Sequence, residues 1–194
     1  MSLKHPELPK AAVAVLNSKL PGLLARTAPK DMEDGGKIEV QPCLPIPIYS
    51  VAPDRILKEG LVNAAVRVGW RFILMQDKRP TVVADIMKLP DSGRLVVTNV
   101  SYDGAIAISQ AWDTAEQFSS HQSVEYSPRI LELPSLAVQT LWLHGHNVDR
   151  EDAFIVFETF DGEEQPLDPV SYRKFTDEMI ALSHQAAEFA DVGA

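Results

Sequence analysis

Between residues 70 and 110 the chain carries four short strand-like runs, at about 70–76, 81–88, 94–102 and 105–110, and their close spacing constrains the fold more than any other feature. The interruptions are turn chemistry: Gln76 to Pro80, then Pro90-Asp91-Ser92-Gly93, then Asp103-Gly104. Asp-Gly between alternating segments supports a type I′ hairpin, because both turn positions need positive φ. The expectation is an antiparallel meander over 70–110.

Further strands are expected at 129–133, at 136–143, where a helix is the alternative, and at 153–160. The last is too apolar for a half-exposed strand and should lie centrally in its sheet. Residues 37–51 have strand-like content but contain Pro42, Pro45 and Pro47, each of which removes a ladder donor; this predicts an edge or polyproline-like path. Cys43 among them reads as a small buried filler. Helices are expected at 10–26, kinked at Pro21-Gly22; at 53–68, opened by Pro53-Asp54 and closed by Gly69; from Asp113 or Thr114 to about 120; and at 168–190, opened by Asp168-Pro169. In the last helix Tyr172, Phe175, Met179, Leu182, Ala186 and Phe189 form a narrow apolar seam. Packing on the sheet is the preferred reading of this seam, with a helix-to-helix homodimer interface through Tyr172, Phe175, Met179, Leu182 and Phe189 as the alternative. Residues 28–37 combine charge with Gly35-Gly36 and read as an exposed loop or linker. The fold class that follows is α+β: a single domain over 1–194 with an antiparallel sheet of about six to eight strands, the meander 70–110 plus 129–160, covered by helices 53–68 and 168–190.

Eighteen Lys and Arg against 27 Asp and Glu give a formal charge of −9, which opposes phosphate backbones and anionic lipid, and no local basic patch offsets it. Nucleic acid and membrane are therefore not the expected partners. With Cys43 as the single cysteine, no intrachain disulfide can form, and a reducing, cytoplasmic compartment is expected.

Chemistry concentrates in one segment, His144-Gly145-His146-Asn147-Val148-Asp149-Arg150-Glu151. Two histidines one residue apart point the same way on a strand, and Asp149 or Glu151 could complete a divalent-metal site. His-x-His followed after four residues by Glu is similar to half of a cupin metal motif over eight residues, without the flanking glycines of that family. The segment departs from the His-x-His-x-Asp-His pattern of binuclear hydrolases, since Asp149 is one position late. Glu151-Asp152 and Glu163-Glu164 read as solvated charge, and Trp70, Trp112 and Trp142 as core or pocket walls. Phosphate-cradling glycine loops and nucleophile elbows are missing from the sequence. Two functional expectations result. One is a non-enzymatic binding or adaptor protein holding a protein partner or apolar ligand, in a groove between helix and sheet or along the C-terminal seam. The other is a metal-dependent enzyme or metalloprotein using His144, His146, Asp149 and Glu151.

Overall fold

The computed structural model describes residues 3–4, 6–27, 41–76, 79–146, 151–158 and 167–192. In chain order these form α1 (Lys10–Thr27), β1 (Gln41–Ser50), α2 (Pro53–Glu59), α3 (Leu61–Ala64), β2 (Val66–Gln76), β3 (Arg79–Lys88), β4 (Leu95–Ser101), α4 (Asp103–Ser120), β5 (Tyr126–Leu133), β6 (Val138–Gly145), β7 (Ala153–Glu158), β8 (Val170–Ser171) and α5 (Tyr172–Val192). The class is α+β, with mixed and mostly antiparallel strand pairing. Among the described residues no helix is long and apolar enough to cross a membrane. The chain divides into two compact units. One comprises Met1–His5, Ile48–Arg67 and Gln110–Ala194, the other Pro6–Pro47 and Val68–Ser109.

In the Pro6–Pro47/Val68–Ser109 unit the strand order is β4-β3-β2-β1. Period-two alternation puts Phe72 and Leu74 of β2 on the same face as Val82, Ala84 and Ile86 of β3, and the register pairs Phe72 with Ala84 and Leu74 with Val82. Ala12, Leu16, Leu20 and Leu24 recur at steps of four on α1 and bury against that face. The opposite face holds a buried ion pair. Arg71 and Asp85, opposite each other in the ladder, meet at 2.7 Å and 2.9 Å, and Asn99 donates to the same carboxylate at 3.2 Å. The expected kink in α1 does not interrupt the helix, which runs through Pro21.

In the other unit the order is β1-β5-β6-β7-β8, with β1 parallel to β5 and the rest antiparallel. Leu131, Leu133, Val138, Trp142 and Phe154 share one face, where they meet Val51, Ile56, Leu61 and Ala64, and Phe175 and Met179 of α5. A stack of rings runs through this core: Phe175 lies on Phe154 at 4.2 Å and 8°, and Phe154 on Trp142 at 6.0 Å and 16°. The C-terminal seam thus packs on the sheet through Phe175 and Met179, with Tyr172 half-buried beside them. Leu182, one turn further on, is exposed, and Phe189 follows on the same helix.

Four expectations are corrected. The 105–110 strand is helix, and so is the preceding Asp103-Gly104; the Ser101 hydroxyl accepts from Gly104 N–H at 3.1 Å, and Ala105, Ile108, Ala111, Trp112 and Ala115 bury at helical spacing. The 53–68 helix ends at Gly60 (φ 75°), resumes for one turn and gives way to β2 at Val66, so Gly69 lies within a strand. The proline-bearing β1 has a neighbour on each side, β2 and β5. Backbone N–H groups alternate between the two edges of a strand, so Pro45 and Pro47 empty donors on one edge only, and the parallel pairing to β5 uses Ile48, Tyr49 and Ser50, past the prolines. Finally, α5 starts at Tyr172, after β8, and not at Asp168-Pro169; the Tyr172 N–H donates to the Asp152 carbonyl at 3.0 Å. The 28–37 segment lies outside the described residues.

Candidate functional site

The histidine segment sits where β6 leaves its apolar core. Along this strand Val138, Thr140, Trp142 and His144 share a face, and the His146 ring lies 6.5 Å from that of His144. Strand spacing therefore brings the imidazoles together as expected, but the carboxylate that joins them is neither Asp149 nor Glu151. It is Asp152, whose side chain is fully buried and accepts three hydrogen bonds: from Trp142 Nε1 at 2.8 Å, from Gly145 N–H at 2.8 Å and from His144 Nδ1 at 3.2 Å. This Asp is no solvated charge; it ties the end of β6 to the start of β7. Its sequence signal was its position, directly before a run too apolar to be exposed and ten residues after a tryptophan that needs an acceptor.

Asp149 lies outside the described residues. Glu151 is exposed, and its Cβ is 3.3 Å from where a Gly145 side chain would begin. Because Gly145 alternates with the histidines, Glu151 belongs to the opposite side of the strand from them. His146 is half-exposed, shares a 2.8 Å hydrogen bond with Ser127 Oγ, and stands 3.9 Å from Glu125. Two imidazoles on one tetrahedral metal have centroids about 5 Å apart, closer than this pair. Among the described residues no group of three or more His, Cys, Asp or Glu is placed to hold a metal ion.

Trp142 also anchors a cation. Arg129, its register partner on β5, lies 4.6 Å over the indole and 4.9 Å over the Tyr49 ring, while Tyr49 and Trp142 meet edge to face at 5.6 Å. Burial lowers the Arg129 pKa from its ordinary value, partly offset by Tyr49 and Asp152. Nothing in the apolar 129–133 pattern marks Arg129 as a site residue except that it is a lone cation in it.

A cavity of about 660 Å³ lies in the Pro6–Pro47/Val68–Ser109 unit. Its α1 wall is Val15, Ser18, Lys19, Gly22 and Leu23, one helical stripe at i, i+3, i+4, i+7 and i+8. The other wall is residues 94–97, four in succession. Side chains of successive strand residues point to opposite faces, so a cavity touched by all four follows the open backbone edge of β4 and not one face of the sheet. Among the described residues no further strand pairs with that edge in the order β4-β3-β2-β1, and the regular part ends at Thr98, an extra residue between Val97 and Asn99 where the β3–β4 register shifts. A second, smaller cavity of about 240 Å³ is lined by Glu132, Pro134, Ala137, Val138, Gln139 and Glu158.

Comparison of the chain with protein-family models, with curated proteins and with solved structures finds no match.

Proposed function

We propose that the protein is a non-enzymatic binding module that takes an extended polypeptide segment between α1 and the open edge of β4. The observation that carries this reading is the lining: one helical stripe facing Arg94 and the first three residues of the edge strand, Leu95, Val96 and Val97. A helix beside a free strand edge is the setting for strand addition, in which the edge supplies main-chain hydrogen bonds and the helix supplies side-chain selectivity. The volume is that of an ordinary ligand cleft. Val15, Leu23, Leu95 and Val97 offer apolar contacts, and the charged lining residues Lys19 and Arg94 are both basic on a chain of net charge −9. The segment that fits is apolar with an acidic flank. The lone Cys43 and the acidic composition suit a cytoplasmic setting.

Gly22 makes the test clean, because a Cβ built there meets nothing within 4 Å. Gly22→Leu would project into the cleft from a position with room for its Cβ and would favour the helix by up to about 1 kcal/mol. Peptides selected from a random library against the wild-type protein should bind Gly22→Leu at least tenfold more weakly while its melting temperature holds or rises. N-methylation along such a peptide should abolish binding at alternate positions only. Selected peptides that bind both proteins equally, or that tolerate N-methylation throughout, would remove this reading.

A divalent metal at His144 and His146 is the second reading, favoured by the Asp152 bond that fixes His144 Nδ1 and leaves Nε2 for a ligand. Metal content of untagged protein purified without chelators should then fall when both histidines are replaced by alanine. Unchanged content would end it.

A further inference from the structure

We infer that Arg129, held between Tyr49 and Trp142, is the receiving cation of an oxyanion site that takes a carboxylate or phosphate group. This site is separate from the peptide cleft and stands on other residues.

Withdrawing a guanidinium from water is costly, and proteins ordinarily offset that cost with a carboxylate. Three arginines here follow that rule. Arg55 bonds Glu59 at 3.0 Å and 2.6 Å, Arg71 bonds Asp85 at 2.7 Å and 2.9 Å, and even the solvated Arg173 has Asp177 at 3.9 Å. Arg129 is half-buried, in a chain with 27 carboxylates, yet among the described residues no carboxylate stands within ion-pair distance of it. Asp152 acts on it only through its field, because both of its oxygens are engaged by Trp142, His144 and Gly145. The donors of the Arg129 fork are therefore left for a group from outside.

The Arg129 guanidinium is also preorganised. Rings at 4.6 Å and 4.9 Å hold the guanidinium, and Trp142, fully buried, is itself clamped by Phe154 and Asp152. A planar fork fixed on two rings loses little freedom when it engages an oxyanion in bidentate fashion. Hydroxyl and imidazole groups flank it on the same face, Ser127 two residues before it on β5 and His144 opposite Ser127 on β6. This constellation of desolvated cation, aromatic walls and small polar neighbours is what a carboxylate or phosphate requires.

The test is a titration of the wild-type full chain followed by side-chain NMR. Arg129 Nε–H is assigned as the signal lost in Arg129→Lys, and exposed Arg173 serves as the internal control. Inorganic phosphate and acetate are added separately at constant ionic strength. A saturable shift at Arg129 with either anion, absent at Arg173, is expected; phosphate alone would assign the site to a tetrahedral group and acetate alone to a planar carboxylate. In Arg129→Lys the indole Nε1–H of Trp142 should report about tenfold weaker binding. Arg129 moving only in proportion to Arg173 under both anions, or a Trp142 titration unchanged in Arg129→Lys, would overturn the site.

Discussion

At the scale of single residues, two buried carboxylates organise the two units. Asp152 satisfies one backbone N–H, one indole and one imidazole, so truncation leaves the Trp142 and Gly145 donors buried without acceptors. Asp152→Ala should cost about 2–4 kcal/mol in urea unfolding, and Asp152→Asn, which keeps one acceptor oxygen, clearly less. Equal losses would show that the carboxylate is not the brace. Asp85 is different because its main partner is itself a charge. Asp85→Ala removes the carboxylate that Arg71 meets in a site where both side chains are under a tenth exposed, a loss of about 3–5 kcal/mol, whereas the double replacement Arg71→Met with Asp85→Leu should recover most of it. A double variant as unstable as the single one would refute the desolvation account. The sequence showed the histidines sharing a face because a strand period of two depends only on local geometry. It hid Asp152 and Arg129, whose roles depend on register with β6, a non-local quantity that no spacing within either segment encodes.

At the scale of elements, the strands at 70–76, 81–88 and 94–102 and the helices at the chain's two ends were legible, since each is long and periodic. The Asp103-Gly104 hairpin was not, and the reason is physical. Two local signals competed there, and the apolar spacing of Ala105, Ile108, Ala111, Trp112 and Ala115, capped by Ser101, outweighed a dipeptide preference. Glycines misled in the same way. Gly69 looked like a helix stop, but a Cβ there would lie 2.3 Å from the Ile86 carbonyl oxygen, so it is a close-approach position between β2 and β3. Gly60, which does end a helix, has a positive φ, and a Cβ there would meet only the Tyr172 hydroxyl at an ordinary 3.9 Å. Gly69→Ala should therefore destabilise by about 3 kcal/mol or more through a backbone clash, and Gly60→Ala by less, about 1–3 kcal/mol, through a positive φ paired with an extended ψ that suits glycine. Thermal melts of the two variants give the order, and the reverse order would contradict both assignments.

At the scale of the whole molecule, the response to alkali follows from where Tyr126 sits. It is 2% exposed, pairs with Gly145 in the ladder, bridges to Leu3 and packs its ring 5.9 Å from Phe118. Burial raises its pKa above the ordinary value, and the charges of Glu151 and Asp152 push in the same direction. Folding thus favours the neutral phenol. The group contributes stability that is complete below the unfolded pKa of about 10 and is lost as pH rises through the higher folded value, because the unfolded chain releases its proton first. The body already carries −9, so every further negative charge adds to self-repulsion. Urea unfolding from pH 7 to 11 should show a flat region followed by a decline that begins near pH 10. Tyr126→Phe should weaken that decline while changing stability at pH 7 little, since the hydroxyl has no hydrogen-bond partner among the described residues to lose. Phenylalanine cannot ionise, so a decline of undiminished slope in Tyr126→Phe would mean that another group carries the alkaline transition.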